Sequence, residues 1–350
     1  MDMRTLGRTD LSVSSICLGT MTFGEQNTEA DGHAQMDYAF EQGVNFLDIA
    51  ELYPIPPMPD TQGRTEEIVG SWLKTRGNRD KAIIATKITG RSDMKWFREN
   101  DAPTRFSKTQ ILEAVDGSLK RLGTDYIDLY QLHWPDRSVS QFGSNPVIFG
   151  NLEQVDDESD FEVILQTMQE LVIAGKIRHF GLSNESAWGT NEFLNTSKST
   201  GTPRVVSVQN AYSLLNRTFE TNMAELSLRE NVGLLAYSPL GQGSLSGKYL
   251  NGALPVNARK TLFGRMQRYE KPGAEPAVKA YVSLARKFDL DPVNMALAFV
   301  LGKPFVTSVI IGATNMDQLK TAIASTQIQL NDTLLSAIDD IQLIHTNPCP

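Results

Sequence analysis

Eight short runs of apolar and β-branched residues recur along this chain, each followed by residues spaced for a helix, and that alternation leaves few folds open. The runs are "SSICLGT", "VNFLDIA", "KAIIATKI", "DYIDLYQLHW", "RHFGLSN", "VVSVQNAY", "VGLLAYS" and "VTSVIIGA". The punctuation between them is that of helices. Ser107 is placed to cap "KTQILEAVDGSLKRL" and Gly123 to end it, Gly175 ends a helix that begins near Asp160, and Asp291-Pro292 opens "VNMALAFVL". Strands joined through helices run parallel, because each crossover returns the chain to the same edge. Within 350 residues, and with no linker-like or low-complexity stretch, eight such units predict one closed (β/α)8 TIM barrel, an α/β domain over residues 1–350, in preference to an open doubly wound sheet. The opening "MRTLGRTDLSVS" predicts a hairpin over about 3–14 that turns at "GRTD" and covers the bottom of the barrel. Residues 272–302 predict two helices between the seventh and eighth strands, and "NDTLLSAIDDIQLIH" a last one. Inserted loops are expected at about 54–63, 136–160 and 240–275.

Charge and composition narrow the partners. Basic residues number 33 against 41 acidic ones, a formal charge of −8 without any block of like charge, so nucleic acid is not an expected partner. No apolar run approaches the roughly eighteen residues that cross a bilayer, and "MDMRTLGRTD" lacks the apolar core of a signal peptide. These features predict a cytoplasmic protein with no membrane partner. Cys17 and Cys349 offer neither a metal-ligand spacing nor a disulfide framework, and no metal site is expected.

A barrel of this kind keeps its chemistry at the C-terminal ends of its strands. Asp48 ends the second run, Lys87 the third, His133 the fourth, Asn184 the fifth, and Gln209-Asn210 the sixth. A charge at the mouth is costly unless paired, and Asp48 and Lys87 come from neighbouring strands. Tyr53 stands on the loop above them, where a nearby ammonium is expected to lower the phenol pKa from its ordinary value of about 10. Taken singly, a strand-end Asp is commonly a satisfied turn residue, a Lys a solvated rim charge and a His a hydrogen-bonded core residue. Four such residues meeting at one mouth from consecutive units make a proton-delivery site.

In order and spacing, "LGTMTFG", "FLDIAELY", "IIATK", "DYIDLYQLHWPD", "GKIRHFGLSN", "VQNAYSLLNR", "LLAYSPLGQGSLSGKY" and "IIGATNMDQL" resemble the aldo-keto reductase family over positions 3 to about 340. Within it, the chain is most similar to the bacterial Tas-type branch, which shares a long proline-bearing insertion after the catalytic tyrosine. The resemblance implies NADP(H) bound in an extended pose and reduction of a small aldehyde or ketone. Residue by residue, it implies Tyr53 as general acid, Lys87 as the residue that lowers its pKa, Asp48 as the partner of that lysine, and His133 as the residue that orients the carbonyl. Trp134, beside His133, is the implied substrate contact.

The same resemblance distributes the cofactor. Ser183, Asn184 and Gln209 match positions that hold the carboxamide, Tyr237 the ring that stacks on the nicotinamide, and Ser238, Pro239, Leu240, Gly241 and Gln242 a loop that wraps the pyrophosphate with Lys248 nearby. Thr20, Met21 and Asp48 complete the nicotinamide end. The stretch "GQGSLSG" echoes a dinucleotide fingerprint, but its last spacing and its place in the seventh unit rule out that reading. Gly312, Thr314 and Gln318 fall where "IIGATNMDQL" opens a helix, a start that favours an anion such as the 2′-phosphate. Arg259, in the basic stretch "ARKTLFGRMQR", matches a further cofactor position. Relatives commonly carry Asn near the adenine where this chain has Ala322, which implies fewer adenine hydrogen bonds. The prolines of "PIPPMPDTQ" predict a stiff wall beside Tyr53. In "DRSVSQFGSNPVIFGNLEQVDDESD", Phe142, Val147, Ile148 and Phe149 are candidates to cover the pocket, and Glu153, Asp156, Asp157, Glu158 and Asp160 to cap the next helix or remain solvated.

Two readings from other classes compete with a carbonyl reductase. Some relatives are cofactor-binding regulatory subunits, as the β-subunits of potassium channels are, and an intact tetrad fits those as well. Paired carboxylates such as Asp48 and Glu51 suit glycoside hydrolysis on a barrel, although Lys87 beside Asp48 argues against it.

Overall fold

The computed structural model describes residues 1–140, 142 and 156–350. All eight expected strands form: β3 (Ile16–Gly19), β4 (Phe46–Asp48), β5 (Ile83–Ile88), β6 (Ile127–Leu132), β7 (Ile177–Ser183), β8 (Ser207–Ala211), β9 (Gly233–Tyr237) and β10 (Val306–Ile311). They pair in parallel and close into a barrel in the order β10-β3-β4-β5-β6-β7-β8-β9. Around it lie α1 (Glu29–Glu41), α2 (Arg64–Arg76), α3 (Lys108–Leu122), α4 (Phe161–Ile173), α5 (Ala187–Thr200), α6 (Phe219–Glu230) and α10 (Met316–Ala324). The short α7 (Arg259–Phe263) and the longer α8 (Ala274–Lys287) and α9 (Pro292–Leu301) precede β10, and α11 (Asp332–Ile344) follows the barrel.

The helix ends are set by the residues read from sequence. Ser107 accepts from the Gln110 amide, Asp160 from Glu162 and Asp291 from Val293, each satisfying a donor that has no partner within its own helix. Gly123 closes α3 in the left-handed conformation at φ 62°, where an L side chain would be strained.

Before the barrel, β1 (Met3–Thr5) and β2 (Ser12–Ser14) pair antiparallel with Met3 opposite Ser14. The turn between them is held by Thr9, whose hydroxyl donates to the Leu6 carbonyl at 2.7 Å and accepts from the Leu11 amide at 3.0 Å. Leu6, Leu11 and Val13 pack into one buried cluster with Cys17, Phe46, Ala85, Leu129, Val206, Leu235 and Ile310, the lower interior of the barrel. Each aliphatic side chain removed from water in this way stabilises the fold by about 1.5–3 kcal/mol, so the hairpin is a plug in the barrel floor.

Alternation along the strands then places the chemistry. Phe46, Ala85, Leu129 and Leu235 belong to the apolar interior cluster. Side chains two residues apart share a face, so Asp48, Lys87, Gln131 and Tyr237 follow them on the inward side, one layer nearer the mouth. A third, small cluster of Ala50, Leu52, Tyr53 and Trp134, with Met21, Ile55, Met94 and Phe97 against it, forms the rim.

Candidate active site

Lys87 is the centre of the mouth. Its Nζ donates to Asp48 Oδ2 at 2.8 Å, to the Ile49 carbonyl at 2.7 Å and to the Tyr53 hydroxyl at 3.4 Å. The other oxygen of Asp48 accepts from Gln209 Nε2 at 2.8 Å and from Gln131 Nε2 at 3.4 Å. Burial pulls the Lys87 ammonium down, but Asp48 and then Tyr53 reverse that, and its pKa lies above the ordinary lysine value. Gln131 was not among the residues singled out from sequence; its signal was its place two residues before His133 on the same strand face.

Tyr53 behaves differently from the expectation. Burial pushes its phenol up, and Lys87 offsets that only in part, so the net shift is upward and not downward. The reason is that the hydroxyl sits in a nearly closed rim, where withdrawing the phenolate from water outweighs one ammonium at 3.4 Å. The His133 ring stands edge-on to Tyr53 with centroids 5.8 Å apart. Burial first, then Lys87, hold its pKa well below the ordinary histidine range, and Nδ1 is buried without a hydrogen-bond partner. A neutral imidazole and a protonated phenol therefore face the same space.

Glu51, the other carboxylate of the opening stretch, is committed elsewhere. It forms a two-pronged buried pair with Arg98, at 2.7 and 3.0 Å, and accepts the Thr89 amide at 2.6 Å. A carboxylate fixed in this way is not available as the second acid of a glycosidase pair.

Trp134 is buried beside His133, with centroids 5.0 Å apart, and its Nε1 donates to the Arg91 carbonyl at 2.9 Å. Phe142 meets it edge-on at 5.7 Å. Gly90 makes this possible, because a Cβ there would lie 2.2 Å from the Trp134 carbonyl oxygen. The proline loop folds down onto the rim. The Ile55 amide donates to the Met21 carbonyl and the Gly63 amide to the Tyr53 carbonyl, each at 3.0 Å, and Gln62 Nε2 reaches the Glu51 carbonyl at 2.7 Å. It lies beside Tyr53, with Ile55 against the rim cluster. Of the acidic insertion, Asp160 caps α4 and Asp157 pairs with Arg91 and Arg105. Val147, Ile148, Phe149 and Glu153 lie outside the described residues.

From the tetrad a hydrogen-bonded chain runs around the barrel. Ser183 Oγ donates to the Gln209 carbonyl at 2.9 Å, and Asn184 Nδ2 to the His133 carbonyl at 2.9 Å. Tyr237 Oη donates to Asn184 Oδ1 at 2.6 Å. Thr20 Oγ1 donates to the Asp48 carbonyl at 2.8 Å, and Met21 packs on the rim cluster. The strap after β9 turns through left-handed positions at Ser238 (φ 51°), Gly241 (φ 56°) and Gln242 (φ 54°), with the Gly241 amide on the Ser238 carbonyl at 2.9 Å. Leu240 packs against the core and Pro239 is buried.

Farther along the strap, half-buried Lys248 and Arg259 have no carboxylate partner among the described residues. Burial pulls both pKa values down, and Arg265 adds to the effect on Arg259 while Tyr269, Tyr249 and Tyr53 oppose it. Gly312, Thr314 and Gln318 lie at the turn from β10 into α10, where Gln318 Oε1 accepts from the Thr314 amide at 2.9 Å and hydroxyl at 3.1 Å. Asn27 Nδ2 ties that turn to the loop after β3 through the Thr314 carbonyl at 3.0 Å. Ala322 is buried in the core on the inner side of α10, so the position presents no side chain to solvent.

Comparison with known proteins agrees with this geometry. The family model for the Aldo/keto reductase family matches residues 15–343. The chain is 49% identical to Protein tas of Escherichia coli (strain K12) over the full length of both. It is 32% identical to the uncharacterized oxidoreductase YrpG of Bacillus subtilis over 97% of this chain and 96% of that protein. With the versiconal hemiacetal acetate reductase of Aspergillus parasiticus, identity is 27% over 94% of each. A family match across nearly the whole barrel, together with a mouth built of Asp48, Tyr53, Lys87 and His133, places this chain in the aldo-keto reductase family of oxidoreductases.

Proposed function

We propose that this protein reduces the carbonyl group of a small aldehyde or ketone to an alcohol with NADPH, Tyr53 serving as general acid. The observation that carries the reading is the buried Tyr53 hydroxyl, 3.4 Å from an ammonium already fixed by Asp48 and the Ile49 carbonyl. Burial keeps the phenol protonated at neutral pH, which an acid requires. As negative charge builds on a carbonyl oxygen beside it, the proton leaves Tyr53 Oη, and Lys87 stabilises the phenolate left behind. His133, neutral and edge-on to Tyr53, donates to the same oxygen and aligns it.

The residues present suit a nicotinamide dinucleotide. Lys248 and Arg259 are half-buried cations without carboxylates among the described residues, and Gln242 Oε1 is buried without a partner, a donor and acceptor set fit for phosphates and ribose. Ser183, Asn184 and Gln209 would hold the carboxamide, Tyr237 would stack on the ring, and Thr20 and Met21 would flank it. Ser238 to Gln242 and Lys248 would take the pyrophosphate, and Gly312, Thr314 and Gln318, with Arg259, the adenosine end with its 2′-phosphate. When bound, the nicotinamide supplies the hydride.

Following NADPH absorbance with a panel of aldehydes, ketones and quinones tests the activity. Tyr53→Phe is expected to retain NADPH binding and to lose at least about a hundredfold in kcat. Near-normal turnover in that variant removes Tyr53 from the role. Tight NADPH binding with no turnover across the panel would favour a regulatory subunit instead.

A further inference from the structure

Several buried and half-buried arginines of this barrel are answered by acids: Arg98 by Glu51, Arg121 by Glu66, Arg91 by Asp136 and Asp157, and Arg137 by Glu185. Arg268, on the strap between α7 and α8, meets no acid among the described residues. Its hydrogen bond goes to a phenol, Tyr237 Oη, at 3.1 Å. The groups acting on its charge are burial and then the hydroxyls of Tyr237 and Tyr269, with no carboxylate among them. In a chain with 41 acidic residues, this half-buried guanidinium pairs with none of those among the described residues, although a buried charge is costly without a partner.

Its position is at the mouth. The guanidinium carbon lies 5.8 Å from the centre of the Tyr237 ring and 5.9 Å from that of Phe142. Phe142 meets Trp134 at 5.7 Å, Trp134 meets His133 at 5.0 Å, and Asn184 joins the His133 carbonyl back to Tyr237. Arg268 thus closes a circuit of side chains around the space in front of His133. The strap's other unanswered cations, Lys248 and Arg259, suit the phosphates. Arg268 stands instead beside the ring expected at the uncharged nicotinamide end.

We propose that Arg268 binds a carboxylate on the substrate, so that the enzyme prefers short carbonyl compounds that also carry an acid group. The inference rests on the carbonyl-reductase reading above. A guanidinium offers five donors in a planar fork that matches a carboxylate, and among the described residues the phenols of Tyr237 and Tyr269 occupy at most two of them. An acid group held there would fix the far end of the substrate while the carbonyl meets Tyr53 and His133.

The test compares kcat/KM for succinic semialdehyde against butanal, and for 4-carboxybenzaldehyde against benzaldehyde, in wild type, Arg268→Gln and Arg268→Lys. Wild type is expected to favour the acid of each pair by about tenfold to a hundredfold, the range of a charge-assisted contact. Arg268→Gln should lose that ratio, mainly through KM, and Arg268→Lys should keep part of it. Because the readout is a ratio, any loss transmitted through Tyr237 to both substrates cancels. No preference in wild type, or an unchanged ratio in Arg268→Gln, overturns the proposal. A retained ratio with weakened NADPH binding also overturns it and assigns the guanidinium to the cofactor. If wild type reduces none of the four aldehydes while binding NADPH, the carbonyl-reductase reading itself has failed, and the two failures are thereby distinguished.

Discussion

Replacing Asp48 with Asn removes one charge and almost no volume, and the surroundings of Lys87 determine the cost. The lysine side chain is 0% exposed and would keep the Ile49 carbonyl at 2.7 Å and the Tyr53 hydroxyl at 3.4 Å, but lose its only anion among the described residues. Gln131 and Gln209, which now donate to Asp48, can turn their amides to meet the new side chain. Stranding one member of a buried ion pair costs about 3–5 kcal/mol. The cost also has a ceiling, because the lysine can give up its proton. Carrying its pKa from about 10.4 down to 7 takes roughly 4.6 kcal/mol at about 1.36 kcal/mol per unit. The loss at pH 7 should therefore be about 3–5 kcal/mol out of the roughly 5–15 kcal/mol that domains typically possess.

Its pH dependence is the sharper test. In wild type the Lys87 pKa is raised above 10.5, so its contribution is fully present below that value and stays flat from pH 7 to 9. In Asp48→Asn the main cause of that rise is gone and burial lowers the folded pKa below the unfolded one. The unfolded chain then binds more protons between those two values, and the variant gains stability with pH at up to about 1.4 kcal/mol per unit. Urea unfolding of both proteins at pH 7, 8 and 9, followed by tryptophan fluorescence, should show the gap narrowing by about 2–3 kcal/mol over that range. A gap that stays constant with pH would refute the stranded-charge argument. Asp48→Asn combined with Lys87→Met should recover much of the loss, since no buried ion then remains unpaired.

Arg259→Ala should weaken NADPH binding about tenfold to a hundredfold while affecting NADH much less, as loss of one charge-assisted phosphate contact requires. Quenching of intrinsic fluorescence in parallel titrations measures this; equal losses for both cofactors would remove Arg259 from the 2′-phosphate, and equal wild-type affinities would remove the NADP preference. Gly90→Ala should cost about 1–3 kcal/mol by overpacking, because its new methyl would meet the Trp134 carbonyl oxygen at 2.2 Å. Thermal melting reads that cost, and a melting temperature equal to wild type would mean that Trp134 can move aside freely.

The strands and the tetrad were legible in sequence because both follow from local pattern. An apolar run that ends on Asp48, Lys87 or His133 carries its own face and depth, since side chains alternate and barrels place polar groups at one end. Gln131 was equally legible by that rule, two residues before His133. What the sequence did not carry was burial. The direction of the Tyr53 shift depends on how far the rim excludes water, and the rim is assembled from Met21, Ile55, Met94, Phe97 and Trp134, scattered over four loops. The same holds for Ala322, whose place on the inner face of α10 became evident only with the helix packed. Glu51 and Arg98, separated by 47 positions, and Arg268 and Tyr237, by 31, meet through insertions whose path no local pattern encodes.

The plug in the barrel floor makes the interior a blind shaft. Below Asp48 and Lys87 the inward side chains are largely an apolar cluster sealed by Leu6, Leu11 and Val13, and the buried Ser207 hydroxyl, two residues before Gln209 on β8, has no hydrogen-bond partner among the described residues. If Tyr53 is the acid, the sealed floor directs replacement of its proton to the side above, through the opening that substrate and product would also use. Resupply of the acid and departure of the product share one doorway, so the catalytic cycle and the traffic through the mouth keep the same clock.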